Sequence, residues 1–214
     1  VNTQTQKVIV PPKQSNPFAR FFLGGQQDID MAVTQIFQLT VLNALKQEDA
    51  VVIYNVESGK AGFNAMYQTS WYHLLFDNTT RAAFSAASAQ YLSDFEQKKL
   101  DRKNKKSYRI YGEYPVTIQW GTIPRMTSGT ADTDVQFGYE FKKKAPYFSI
   151  TVWPAANQKY IDGPSAVEKS STLHFYMTKA QVTQMVELLS DAKISEALAP
   201  YTENDDENQQ KDEY

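Results

Sequence analysis

The chain has no cysteine among its 214 residues, which excludes disulfide bonds, thiol nucleophiles and thiolate metal sites. It also lacks any apolar run approaching the roughly 18 residues that a membrane-crossing helix requires. The only two histidines, His73 and His174, fall on predicted strands at positions that do not correspond between the two halves of the chain. A histidine in such a place is more often a packed or surface residue than a catalytic one.

Motifs of known enzyme classes are missing as well. Gly24 and Gly25 are not followed by the Lys-Ser/Thr of a phosphate-binding loop, and no Gly-x-Ser-x-Gly element is present. The acidic pairs Asp28/Asp30 and Asp132/Asp134 have no third ligand and no calcium-loop spacing beside them. The sequence therefore predicts a protein that is not an enzyme and that uses no metal and no cofactor.

The two ends of the chain differ in composition from the rest. Residues 1–17 are rich in Gln, Asn and Pro and predict an extended polar arm. Residues 202–214 contain six acidic residues and one Lys, so the rest of the chain carries a net charge of about +3. Few apolar residues accompany those acids, which predicts a disordered acidic tail over 201–214 that contacts a protein partner or only aids solubility. The chain begins with Val1, so we expect that a preceding segment has been removed, and both an organellar and a secreted destination stay open.

Between the ends, the first half of the chain changes its hydrophobic period once. Apolar residues at odd positions from Ile29 to Val41 predict a half-buried strand, although a helix over 31–46 is an alternative. Further strands are predicted at 51–56, 61–69 and 71–77, with a hairpin turn at 57–60. Apolar residues then recur at intervals of three and four, which predicts a helix capped by Asn78 or Thr79.

The second half repeats this order. Strands are predicted at 108–120, 134–142, 147–153 and 172–177, and the last leads into a capping box of Thr178 and Gln181 that starts a helix ending by Pro200. The prediction is a single α+β domain over 18–200 made of two repeats, 29–106 and 107–200. In it, two four-stranded antiparallel sheets are each followed by one amphipathic helix.

Two segments of the second half and one of the first carry a family resemblance: Tyr147–Val152, Phe175–Val182 and Gly59–Ala61. Together with the tandem order of four strands and a helix, they resemble the Whirly superfamily and are similar to the PUR repeat. The resemblance implies binding of single-stranded DNA or RNA by a homo- or hetero-oligomer. Sequence likeness covers about thirty residues, and the topological likeness covers about 29–200.

Single-strand binding requires cations for the phosphates and exposed rings for the bases, the rings contributing about 1–3 kcal/mol per base. If the apolar faces predicted above point inward, the opposite faces of the sheets and the neighbouring turns present rings and cations. The candidate binding residues are Lys60, Trp71, Arg109, Tyr111, Lys142, Lys143, Lys144, Tyr147 and Trp153. Binding through them would depend strongly on salt and little on base sequence.

A second interpretation explains the same residues differently. Tyr and Trp are common in sheets for packing reasons, and the outer face of one sheet can be buried against another. The alternative function is a secreted or cell-envelope protein-interaction module that binds no nucleic acid, with the polar arm as a tether.

Overall fold

The computed structural model describes residues 28–100, 108–122, 127–159 and 168–209, with side chains described as far as Pro200 at the C-terminal end. The predicted polar arm and most of the basic run after Leu100 lie outside the described residues. Eight strands and three helices occupy the described part. The strands are β1 Asp28–Leu39, β2 Leu45–Asn55, β3 Lys60–Tyr67, β4 Ser70–Phe76, β5 Tyr108–Thr122, β6 Thr127–Lys142, β7 Ala145–Val152 and β8 Leu173–Met177, and the helices are α1 Asn78–Glu96, α2 Lys179–Leu188 and α3 Asp191–Gln209.

The eight strands form one antiparallel sheet that closes into a barrel in chain order. The prediction of two four-stranded sheets, each followed by one helix, was therefore wrong. The two halves are joined at two seams, where β4 pairs with β5 from Ser70 to Leu75 and β1 pairs with β8 through Phe37 and Gln38. Alternation shows that one face of a strand is buried, but it carries no information on which strand lies beside it.

The segment after residue 28 is a strand, as the alternation indicated, and the helical alternative over 31–46 is wrong. Its buried face, however, differs from the predicted one. Thr34, Ile36 and Gln38 are buried, whereas Val33 is 63% exposed. The cause is a β-bulge between Asp30 and Ala32, which inserts one unpaired residue and exchanges the two faces beyond it.

A second bulge lies in the first strand of the other half. The pairing of β5 with β6 shifts between Ile110 and Gly112, so that Ile110 lies opposite Gly138 and Gly112 opposite Phe137. Before the bulge, the even positions of β5 face solvent; after it, Val116, Ile118 and Trp120 face the core. The single alternation predicted over 108–120 is therefore two alternations of opposite phase.

The helices begin close to the predicted positions but are capped and divided differently. The N-cap of α1 is Asp77, whose side chain accepts from the Thr80 N–H at 2.7 Å, and not Asn78 or Thr79. The capping box of Thr178 and Gln181 at the start of α2 is confirmed. The prediction of one helix ending by Pro200 was wrong, because α2 ends at Leu188 and α3 continues past Pro200, into the segment predicted as the tail.

The core is the inward face of the barrel together with side chains from the helices. Phe84 of α1 lies among three inward-facing rings, 6.0 Å from that of Phe76, 5.3 Å from that of Phe137 and 5.6 Å from that of Phe148. Val182 and Met185 of α2 are fully buried in the same cluster. The outer face of β5–β8 is left uncovered along part of its length, and the candidate site lies there.

Candidate nucleic-acid interface

A cleft of about 360 Å³ runs across the outer face of β5, β6, β7 and β8. The middle of the cleft is recessed because two small residues, Gly138 and Ser149, lie opposite each other there on β6 and β7. A Cβ at position 138 would overlap the backbone carbonyl of Arg109, so only glycine allows β5 to approach this closely. The depression therefore follows from the close packing of two strand backbones.

Three large side chains around this recess are exposed. Tyr108 is 62% exposed, Ile110 is 47% exposed and Trp153 is 51% exposed, and all three line the cleft. Tyr108 and Ile110 are at the β5 side, before the bulge, whereas Trp153 directly follows β7. Exposed rings beside a depression offer flat apolar surfaces on which another planar group can stack.

A row of polar side chains crosses the cleft beside the recess. Gln136, Thr151 and His174 are direct neighbours on β6, β7 and β8. The Thr151 hydroxyl lies 3.3 Å from Nδ1 of His174, and the His174 ring meets that of Trp153 edge-on at 6.2 Å. Burial lowers the pKa of His174, so the imidazole is neutral at pH 7. The row thus presents uncharged hydrogen-bonding groups.

Lys142 and Tyr147 lie on the same outer face, next to the cleft, and are engaged in a local network. The Lys142 ammonium is 2.8 Å from the Glu140 carboxylate and lies over the Tyr176 ring, 4.9 Å from its centroid. The Tyr176 hydroxyl donates to the other oxygen of Glu140 at 2.7 Å. Burial, with the nearby Glu140, raises the pKa of Tyr176. Tyr147 is half-buried, with its ring 5.7 Å from that of Phe37.

Lys143 and Lys144 form the exposed turn between β6 and β7, and Lys143 adopts a positive φ of 59° there. Both project from the end of the strands that carry the cleft. With Arg109 and Lys142, they place four cations around this face, against the carboxylates of Asp94, Glu113 and Glu140. The surface is weakly cationic.

Of the remaining predicted residues, Arg109 lies at the cleft and the other three lie elsewhere. The guanidinium of Arg109 is 3.6 Å from the Asp94 carboxylate of α1 and 5.6 Å from the Tyr111 ring, at one end of the cleft. Tyr111 is the bulged residue and donates to Asp94 at 3.0 Å, so its ring packs under α1. Lys60 donates to Thr117 at 2.6 Å on another part of the barrel, and Trp71 is half-buried on β4. The structure therefore brings together Arg109, Lys142, Lys143, Lys144, Tyr147 and Trp153, and separates Lys60, Trp71 and Tyr111 from them.

Of the residues that line the cleft, the list of candidate binding residues contained only Arg109 and Trp153, and it missed among others Tyr108, Ile110, Ser149, Thr151 and His174. Tyr108 and Ile110 were assigned to the buried face because the alternation over 108–120 was taken as continuous. A signal was present at Gly112, since a glycine inside a strand pattern is typical of a bulge.

In the described ranges, no three His, Asp or Glu side chains lie close enough together to hold a metal ion. Among the helices of those same ranges, none is long and apolar enough to cross a membrane.

The chain belongs to a family described as "Uncharacterised Treponema protein", whose model matches residues 18–196. The match includes every strand, the cleft and both bulges. No curated protein and no solved structure shows significant similarity to the chain.

Proposed function

We propose that this member of the Treponema family is a single-stranded nucleic-acid-binding protein that uses the outer face of β5–β8. The observation that supports this most directly is the exposure of Trp153 and Tyr108 at one cleft, next to the lysine turn between β6 and β7. Unpaired bases would stack on these rings while the cations contact phosphates. Both parts of a single-strand platform are thus present on one surface.

The binding free energy expected from each base and each phosphate is modest. Each base stacked on an aromatic ring contributes about 1–3 kcal/mol, and each phosphate neutralised adds a term that weakens with salt. Lys142 pairs with Glu140 and Arg109 lies near Asp94, and the turn residues Lys143 and Lys144 are both exposed, so phosphates can reach them from solvent. Tight binding therefore requires several nucleotides along the face.

The test is a fluorescence anisotropy titration with a labelled mixed-sequence 12-mer at low and moderate salt. We expect binding that weakens steeply as salt rises, and a loss of about 5- to 150-fold for Trp153→Ala, the range that one stacked base supplies. Leu42→Ala is the matched control, because Leu42 is an apolar, exposed residue at the β1–β2 turn and does not line the cleft. Equal losses for the two variants would contradict the proposal.

A second titration tests the cations separately. Replacing both Lys143 and Lys144 by Ala removes two phosphate contacts, so the slope of log affinity against log salt should fall by about 1.4. A slope identical to that of the unaltered protein would show that the turn does not contact the nucleic acid.

The second candidate function is protein–protein interaction, and the adjacent side chains of Val41 and Leu42, which are 83% and 87% exposed at the β1–β2 turn, favour it. Neither side chain offers anything to a phosphate, and an aliphatic residue stacks poorly on a base. If no oligonucleotide binds at low salt, this second function takes the place of the first. Assembly into a homo- or hetero-oligomer stays a prediction, which sedimentation of the purified chain would test.

A further inference from the structure

The cleft differs in chemistry from the lysine turn beside it. The polar groups that line it are amide, hydroxyl, imidazole and carboxylate, with the Arg109 guanidinium at one end, whereas Lys142, Lys143 and Lys144 lie outside its lining. A phosphate in the interior would meet Glu140 and no unpaired cation, which is unfavourable for an anion. The interior therefore suits a planar, uncharged group with a polar edge.

The hydrogen-bonding groups inside the cleft determine which donors and acceptors the edge of that planar group must carry. One N–H of Gln136 donates to Glu113 at 2.7 Å, which fixes the amide and leaves its carbonyl oxygen as an acceptor and its second N–H as a donor. The hydroxyls of Ser149 and Thr151 accept as well as donate, and the Glu140 carboxylate accepts only. The amide of Gln136, the two hydroxyls and the carboxylate of Glu140 therefore contain more atoms that can accept a hydrogen bond than N–H groups that can only donate one.

We infer that the cleft holds one unpaired base and prefers bases that carry an exocyclic amino group over thymine or uracil. This inference rests on the proposed function and deepens it. An amino group donates two hydrogen bonds, which Gln136 and its neighbours can accept, whereas thymine and uracil offer there a single ring N–H between two carbonyl oxygens. Trp153, edge-on to His174, is placed to stack on the base, and the small residues Gly138 and Ser149 leave room for it.

The site therefore separates two tasks within one face. The lysine turn and the rings hold any single strand, and the polar row selects at one nucleotide position. His174 supports the selection because it is neutral and held by Thr151, so it does not draw a phosphate into the cleft.

The experiment compares oligo-dC with oligo-dT 12-mers. Both are flexible pyrimidine strands, and they differ at the base edge that would contact Gln136 and its neighbours. We expect oligo-dC to bind about fivefold more tightly or better, the low end of what one well-made base contact provides. Gln136→Met keeps the size of the side chain and removes the acceptor, so it should bring the dC/dT affinity ratio close to one. Gln35→Met is the matched control, since Gln35 is an exposed strand amide on β1, outside the cleft, that also donates to a carboxylate, Asp49. It should leave the ratio unchanged.

The outcomes separate the two proposals. If neither strand binds at low salt, the proposed function and this inference both fail. If both strands bind equally, or if Gln136→Met leaves the preference for dC intact, the inference fails and the proposed function stands. Thr151→Val serves as a second, isosteric variant in case Gln136→Met unfolds, which circular dichroism would show, and it should also reduce the ratio.

Discussion

At the scale of single residues, a titratable pair, His73 and Asp28, is buried on the face of the sheet that points away from the barrel interior. His73 is almost fully buried, and its Nδ1 lies 3.4 Å from the carboxylate of Asp28. Burial lowers the pKa of His73 to about 3, so near neutral pH this contact is not an ion pair. Burial also raises the pKa of Asp28 to about 6, an effect that the hydrogen bond from Asn55 opposes and the charge of Asp30 reinforces.

The raised pKa of Asp28 predicts a pH-dependent stability. The folded protein binds this proton more tightly than the unfolded chain, so the stabilisation is fully present below about pH 4 and is lost as the pH rises through about 6. A shift of this size corresponds to about 3 kcal/mol. Asp28→Asn removes the titration, so the stability of the unaltered protein relative to this variant should fall by that order between pH 4 and pH 7.

Urea denaturation at several pH values measures this difference. The titration of His73 acts in the opposite direction, because its lowered pKa makes the folded state less stable as the pH falls below 6.5. Because His73 is present in the unaltered protein and in Asp28→Asn, its contribution largely cancels when the stabilities of the two proteins are compared. A difference that is constant across the pH range would mean that Asp28 is not protonated in the folded state.

At the scale of elements, the helix starts show which local signals are reliable. Asp77 caps α1, and its carboxylate holds the Thr80 N–H, while Thr79 is exposed one position into the helix. Asp77→Ala should therefore lower the free energy of unfolding by about 1 kcal/mol, and Thr79→Ala by much less. Chemical denaturation of the two variants, side by side, measures this. Equal losses would contradict the assignment of the cap.

The division between α2 and α3 also has a local cause. Ser190 accepts from the Lys193 N–H at 3.3 Å and so serves as the N-terminal cap of α3. Arg81 of α1 donates to the carbonyl of Leu189 at 2.9 Å and pairs with Asp191 at 2.8 Å, which satisfies the end of one helix and the start of the next. The sequence contained the serine, but the contact from Arg81, over a hundred residues away, could not be inferred from it.

At the scale of the whole molecule, the barrel is closed unevenly. β5 and β6 pair along almost their entire length, from Tyr108 and Glu140 to Thr122 and Thr127, whereas β1 and β8 share only two residue pairs. A hydrogen bond of 2.8 Å from Thr34 on β1 to Gln184 on α2 reinforces this short seam. The seam is the place where local opening should occur at the lowest free energy.

Hydrogen exchange tests this prediction. Peptides covering β1 and β8 should exchange faster than peptides covering the paired centre of β5 and β6, when followed by mass spectrometry. Gln184→Ala, which removes the tie to β1, should accelerate exchange in β1 further. Thr183→Ala is the control on the same helix, because the Thr183 hydroxyl bonds within its own helix. Uniform protection around the barrel would contradict the prediction.

Much of the secondary structure could be predicted from the sequence, because alternation and capping are local. The strands predicted at 61–69 and 71–77, the helix after them and the capping box at Thr178 are found near the expected positions, whereas β2 begins at Leu45 and not at 51. The closure of the sheet could not be predicted, because the pairing of β4 with β5 depends on contacts between halves. Of the cleft and the turn beside it, Trp153 and the lysines were proposed from their residue types, and Tyr108 and Ile110 were missed because of the bulge at Tyr111.

The two bulges have a consequence for any comparison within the family. One bulge lies in β1 and the other in β5, the first strand of each half. In each strand, one unpaired residue determines which side chains face solvent. A relative that lacks one residue between Tyr108 and Val116 would turn Tyr108 and Ile110 inward and lose the β5 wall of the cleft, even if every other residue were identical. Chain length in that short stretch, more than residue identity, would then distinguish members that share this surface from those that do not.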